Sequence, residues 1–365
     1  MIPQEFRITD RLRRQWGLAA LIGLVIALVI GLFRPASLFG GYLAAFVLVS
    51  GVPLGAMSIA LMFQVTGGRW GRGLNESLRF AAGAAMATLV LAIPIFLGIP
   101  WLYPWYSEPP AADTFRASYL SPAAFVGRGA AYLLFWAILG AVLARTGEPD
   151  EKRTRKWAGP VLVFYLLTLT FAAIDWVGSI VQHWYSTVFG FYLIVGQALS
   201  ALALLVLLAA RRPDQPETQT RHDWGNLLLT FVVLYAYMAY SQFLIIWSGN
   251  LPHEITFYVQ RVRGAWGALA VVLIILGFLL PFGALLARNA KRRAQALAAI
   301  AAVVLFARLL DSAWMVLPGL PAGQLLGLLA YFLLLPGLAW VWLLAAGWLH
   351  AWVPASAELR REARP

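Results

Sequence analysis

Ten runs of apolar residues, each about twenty long, follow one another along the chain with short polar stretches between them. A hydrocarbon core of about 30 Å takes roughly 20 apolar residues as a helix. The pattern therefore predicts ten spanning helices, over 16–33, 38–64, 78–99, 122–144, 157–177, 186–210, 226–248, 264–287, 295–317 and 324–349. The first run has no clear small-residue cleavage site and more runs follow at once, so it reads as a span and not a signal peptide.

The basic residues test the count. With the N-terminus inside, 22 of the 28 Lys and Arg fall on inner segments. Among them are Arg7, Arg11, Arg13 and Arg14, then Arg145, Lys152, Arg153, Arg155 and Lys156. Only Arg34, Arg116, Arg261 and Arg263 fall outside, and Arg128 and Arg308 lie within spans. This is the positive-inside bias of a polytopic membrane protein. One missed helix would have inverted every later loop. The longest outer loop, about 100–121, is aromatic and Pro-rich. Trp101, Tyr103, Trp105 and Tyr106 are expected in an outer aromatic belt, and Trp16, Trp70, Trp157 and Trp224 in an inner one.

Composition agrees. Of 365 residues, 61% are apolar and 12% charged, against about 25% charged in soluble domains. A water-soluble reading is excluded. The expected class is an all-α integral membrane protein, one polytopic domain over 1–365 with both termini cytoplasmic. The net charge of +12 reflects topology, so no nucleic-acid partner is expected; lipid is. The absence of cysteine excludes disulfides, thiolate metal sites, a CxxCH haem attachment and a protein-held iron–sulfur cluster. His183, His222, His253 and His350 all fall near interfaces, which argues against a bis-histidine haem between spans. HExxH, P-loop and GxSxG patterns are absent, and TGGRWGRG at 66–73 reads as a tight inner turn.

A charge near the bilayer centre costs on the order of 3 kcal/mol on insertion scales, so each one within a span is a clue. Arg128 lies in the fourth predicted span, Asp175 closes the fifth, and Arg308 and Asp311 share a face of the ninth at a spacing of three. Traced through the topology, all four fall in the outer half, with His183 following Asp175 on that side. Two readings are open. In one, Arg308 neutralises Asp311, and Arg128 pairs with Asp175 or snorkels outward. In the other, the group forms a polar pocket or proton relay, since a carboxylate and an imidazole exchange protons near neutral pH. Trp184, Tyr185, Trp247, Tyr258, Trp266 and Trp314 lie at the outer interface. They read as belt residues or as rings stacking on a ligand such as a quinone headgroup.

Two stretches resemble a known family. DWVGSIVQHWYSTVFGFYLIVGQ at 175–197 and HDWGNLLLTFVVLYAYMAYSQFLIIWSGNLPHEITFY at 222–258 resemble signatures of the F-type membrane subunit (quinone-binding subunit 2) of alternative complex III, a bacterial quinol:cytochrome c oxidoreductase. Weaker echoes are TGGRWGRGLNESLRF at 66–80, LYPWYS at 102–107 and RLLDSAWMVLP at 308–318. A departure is GSIVQ at 178–182, where the family has a more acidic or Pro-containing turn.

The resemblance implies an NrfD-like, polysulfide-reductase-type fold: two four-helix bundles over 38–177 and 186–317, with flanking helices at 16–33 and 324–349. It implies a bacterial inner-membrane location and no redox centre in this chain. Expected partners are a homologous membrane subunit, a periplasmic iron–sulfur subunit, c-type haem subunits and a terminal oxidase. Quinone or quinol is the expected ligand. Asp175, His183, His222, Asp223 and Asp311 stand in or beside the stretches whose family counterparts are proposed to conduct protons. With Arg128, Tyr185, Arg308 and Trp314 they make up the candidate proton path or quinone contact. The competing classes are a ten-helix secondary transporter, for which midplane sites and matched Gly/Pro interruptions in two halves would be expected, and a structural scaffold.

Overall fold

A computed structural model describes residues 3, 6, 9–145, 151–182, 184–214, 216–252, 254–320 and 323–352. Among them there is no strand, and ten segments are long and apolar enough to cross a membrane. They are α1 (Arg11–Phe33), α2 (Pro35–Thr66), α3 (Asn75–Leu97), α4 (Pro122–Arg145), α5 (Lys156–Ile180), α6 (Phe189–Ala209), α7 (Thr218–Gly249), α8 (Gly264–Leu286), α9 (Ala294–Gly319) and α10 (Gln324–His350). The chain is an all-α, multi-pass membrane protein. Below, the side holding most Lys and Arg is called inner.

Each span begins and ends for local reasons. The helix containing α1 starts on Thr9, whose Oγ1 accepts from Leu12 N at 3.4 Å. α2 starts with Pro35 in its first turn and stops at Gly67, where φ is +69°. α7 ends on Asn250 in the left-handed region, φ 45°, a conformation Asn tolerates better than most residues. α7 also starts eight residues earlier than its apolar run predicts, because the polar stretch around His222 and Asp223 winds into the same helix. α3 is interrupted by a 3₁₀ turn at Ala84–Met86, and α8 holds a π-helical turn at Ile275–Leu279 just before Pro281.

α2 is the axis of the assembly. Its most apolar window is 89% buried, against 11% for α1 and for α8. It packs against α3, α5, α6, α9 and α10. Helix association in lipid relies on close contact and small residues, since apolar burial gains nothing there. Gly55 provides such a contact, because a Cβ on it would lie 2.1 Å from Gln197 O of α6. Gly41 provides another: a Cβ there would lie 2.5 Å from Gly327 O of α10.

The expected aromatic belts hold in part. Trp101, Tyr106, Trp16 and Trp157 are exposed. Tyr103 and Trp105 are buried instead, stacked on each other and packed on Phe125. The outer loop folds back as short helices, Ile99–Leu102, Pro104–Ser107 and Phe115–Tyr119, and these two rings form its underside. Trp224 is also buried; its Nε1 donates to Trp70 O at 2.9 Å and ties α7 to the inner turn before α3.

Candidate functional site

The four charges found within the spans form two arginine–aspartate pairs, one near the outer ends of α4 and α5 and one just outward of the middle of α9. The first joins α4 to α5. Asp175 stands in the last turn of the helix Glu151–Trp176, where the helix dipole disfavours a negative charge. It is 1% exposed. Its carboxylate is held bidentately, with Arg128 Nε on Oδ2 at 3.1 Å and Nη2 on Oδ1 at 3.0 Å, the strong form of charge-assisted hydrogen bond. Tyr132, one helical turn beyond Arg128, donates to Oδ2 at 3.3 Å.

Arg128 faces outward as well. Its Nη1 donates to Tyr119 O at 2.7 Å, and its Cζ lies 3.6 Å from the centre of the Tyr119 ring, a cation–π contact. Burial first, then the Asp175 charge, push the Tyr119 phenol up to about 12, so it is neutral at ordinary pH. On the other side, Ser179 Oγ donates to Asp175 O at 2.5 Å, and Trp105 Nε1 donates to Ser179 Oγ at 3.3 Å.

A cavity of about 590 Å³ is lined by two residues that touch this pair, Tyr119 and Ser179, though not by Arg128 or Asp175 themselves; its size is within the usual range of ligand sites, roughly 300–1,000 Å³. The rings of Trp105, Phe115, Trp184 and Tyr185 and the polar groups of Glu108, Arg116 and Gln182 line it too. Gln182 Nε2 donates to Glu108 Oε2 at 2.7 Å, which fastens the outer loop to the segment after α5.

The second pair lies on α9 and is sealed. Arg308 Nη1 donates to Asp311 Oδ2 at 2.6 Å, and the two side chains are 6% and 7% exposed. Tyr235 of α7 donates to Oδ2 at 2.8 Å, and Tyr192 of α6 donates to Oδ1 at 3.3 Å. The two phenol oxygens are 2.7 Å apart and their rings stack. Arg308 lies 4.3 Å over the Tyr235 ring and donates from Nε to Ser200 Oγ at 3.3 Å. Gly196 makes room for it, since a Cβ there would sit 2.5 Å from Arg308 Nη2. Every oxygen of Asp311 is thus occupied, as a buried carboxylate requires.

Other predicted site residues lie apart. No hydrogen bond or ion pair among the described residues joins the two arginine–aspartate pairs. Trp314, one turn beyond Asp311, donates from Nε1 to Arg261 O and Trp266 O, both at 3.2 Å, and so braces the outer loop. Tyr185 is exposed at the cavity rim. His183 lies outside the described residues.

His222 and Asp223 do not join the outer group. They occupy the opposite, inner end of α7, where Asp223 meets Arg69 at 3.0 Å and His222 Nδ1 lies 3.3 Å from Asn226 Nδ2. Helix direction decides this: α7 starts on the inner side, so its first turns cannot reach the outer cavity.

Sequence reasoning missed the tyrosines. Tyr132 had a signal, being four residues after Arg128 and so on its face. Tyr192 and Tyr235 had a weaker one, hydroxyls in apolar runs that need partners. Arg261 was counted as an ordinary loop charge, yet it is wholly buried. It stacks 3.5 Å over Phe257 and donates to Phe257 O at 2.8 Å and Met315 O at 2.5 Å. With no carboxylate against it, burial pulls its guanidinium down to about 9.

The chain matches no protein-family model and no curated protein sequence.

Proposed function

We propose that this chain is a membrane subunit of a bacterial quinol-oxidising respiratory complex of the alternative complex III kind. In this reading it resides in the inner membrane, holds no redox centre, and contributes a proton path and a quinol contact near the outer face. The observation that supports it best is the bidentate Arg128–Asp175 pair, joined through Tyr119 and Ser179 to an aromatic-lined outer cavity. The signature-like stretches at 175–197 and 222–258 supply the family reading.

Oxidation of a quinol to the quinone releases two protons and two electrons. A chain without cysteine leaves iron–sulfur and c-type haem centres, and with them the electrons, to partner subunits. What this chain offers is an aromatic-lined cavity that includes the neutral Tyr119, with the Asp175 carboxylate reached through Arg128. Asp175 is the group that would take up a proton once Arg128 turns toward the cavity. Arg128 can do so without leaving polar contact, because Tyr119 already binds it.

The test is Asp175→Asn in the complex purified from native membranes and returned to vesicles. Quinol turnover and proton release should fall at least tenfold with assembly intact. Unchanged turnover and unchanged proton release would remove the role. Purification is a test in itself: the chain should come out with haem c and iron–sulfur subunits, and isolation as a lone protein would favour a transporter.

A second reading, a structural scaffold, has a specific observation behind it. Each aspartate is already neutralised by its arginine, and Asp311 is fully enclosed. Under that reading Asp175→Asn lowers stability and leaves the turnover of the assembled complex unchanged.

A further inference from the structure

On the inner side, a crevice of about 590 Å³ separates α1 from the body of the protein. α1 packs on α10 and α2, while α9 and α6 pack on α2, and the space between them remains open. Its walls are almost wholly hydrocarbon: Ala19 of α1, Val52 of α2, Leu204 of α6, Leu305 of α9 and Ala339 of α10. The direction of each helix places it in depth. Leu204 and Leu208 belong to the last turns of α6, which runs inward, and Trp16 to the first turns of α1, which runs outward. The crevice therefore reaches from the inner interface toward the membrane middle. Phe6 forms part of its inner wall, packed on Phe80 and Trp342 with ring centres 4.5 and 6.0 Å away.

The entrance is basic. Arg11, Arg13 and Arg14 are exposed on the first turn of α1, just before Trp16. Arg13 has its Cζ 6.0 Å from the Trp340 ring, on the stretch of α10 that lines the crevice. The segment 9–16 holds three arginines and a single acid, Asp10. A hydrocarbon slot of this size does not hold water, and basic pockets between spans on the inner side attract anionic headgroups.

We propose that the crevice is a binding site for an anionic phospholipid of the inner leaflet. One acyl chain lies between α1 and α9, and the phosphate lies against Arg13 and its neighbours. The lipid then acts as a filler between α1 and the rest of the fold, independent of the outer cavity.

The test is native mass spectrometry of the full chain, in its purified assembly, with phosphatidylglycerol and phosphatidylcholine supplied in equal amounts. About one phosphatidylglycerol per chain should survive detergent exchange, with at least a fivefold preference over phosphatidylcholine. Ala339→Trp fills the slot and should cut retention at least fivefold; Ala19→Phe fills it from the other wall if the first variant fails to assemble. Arg13→Gln with Arg14→Gln should leave an acyl-chain ligand but abolish the headgroup preference. Equal retention of both lipids by the wild type, retention unaffected by the filling variants, or an isoprenoid quinone recovered in place of phospholipid would each overturn the proposal.

Discussion

The two buried pairs use the same two residue types and differ in how they are closed. Arg308 and Asp311 sit one turn apart on a single helix, so their meeting needs no tertiary structure; α6 and α7 then cover them with two phenols. Arg128 and Asp175 come from different helices and meet only once α4 lies beside α5. The first pair is shut on all sides. The second keeps one side open, with Arg128 22% exposed at the side chain and a cavity beyond Tyr119. A charge pair closed on every side holds helices together. One with a single face toward a cavity can also exchange a proton or meet a ligand. The two pairs thus differ in closure, and the chemistry proposed above falls on the less enclosed one.

The comparison can be broken by removing one partner from each pair. Asp311→Leu strands a buried guanidinium, for which about 3–5 kcal/mol of destabilisation is expected. Arg308→Met added to it should restore most of that loss, because a neutral apolar pair can replace a buried ion pair. Denaturation monitored by size-exclusion fluorescence in detergent measures both; a double variant as weak as the single one would contradict the enclosed-pair account. Arg128→Gln should cost less, about 1.5–3 kcal/mol, since water from the outer cavity can reach the vacated space. The same measurement ranks it against Asp311→Leu, and a larger loss for Arg128→Gln would reverse the distinction drawn here. Asp223→Asn removes an inner pair whose side chains are 54% and 23% exposed, and should change stability by at most about 1 kcal/mol. Under the function proposed above, it should leave quinol turnover untouched.

Much of this was legible in the sequence because lipid imposes hard lengths. Runs of about twenty apolar residues have one interpretation, and Lys and Arg mark alternate loops, so the ten spans agree with the structure to within a few residues at most ends. The Arg308–Asp311 contact follows from a spacing of three on a helix. Depth, too, could be traced: Arg128 and Asp175 both fall near outer ends. Rotation about each helix axis could not be. Nothing in a linear pattern says that Arg128 turns toward Asp175 and Tyr119, or that Tyr192 and Tyr235 converge on Asp311 from two other helices. The separation of His222 and Asp223 from the outer charges has a different cause. Likeness within a stretch of sequence groups them with those charges, whereas α7 carries the two ends of that stretch to opposite faces. Tyr103 and Trp105 misled because an aromatic residue before Pro-rich sequence reads as interfacial, while here the loop doubles back and buries its own rings.

The central position of α2 bears on biogenesis. This helix leaves the ribosome before α6, α9 and α10, yet those three helices supply much of the surface that encloses it. Between those moments its glycine-lined faces lie against lipid or against an insertion chaperone. A nascent polypeptide halted before α10 keeps the groove around Gly41 vacant. Arrival of α10 is therefore the step that closes this face of α2.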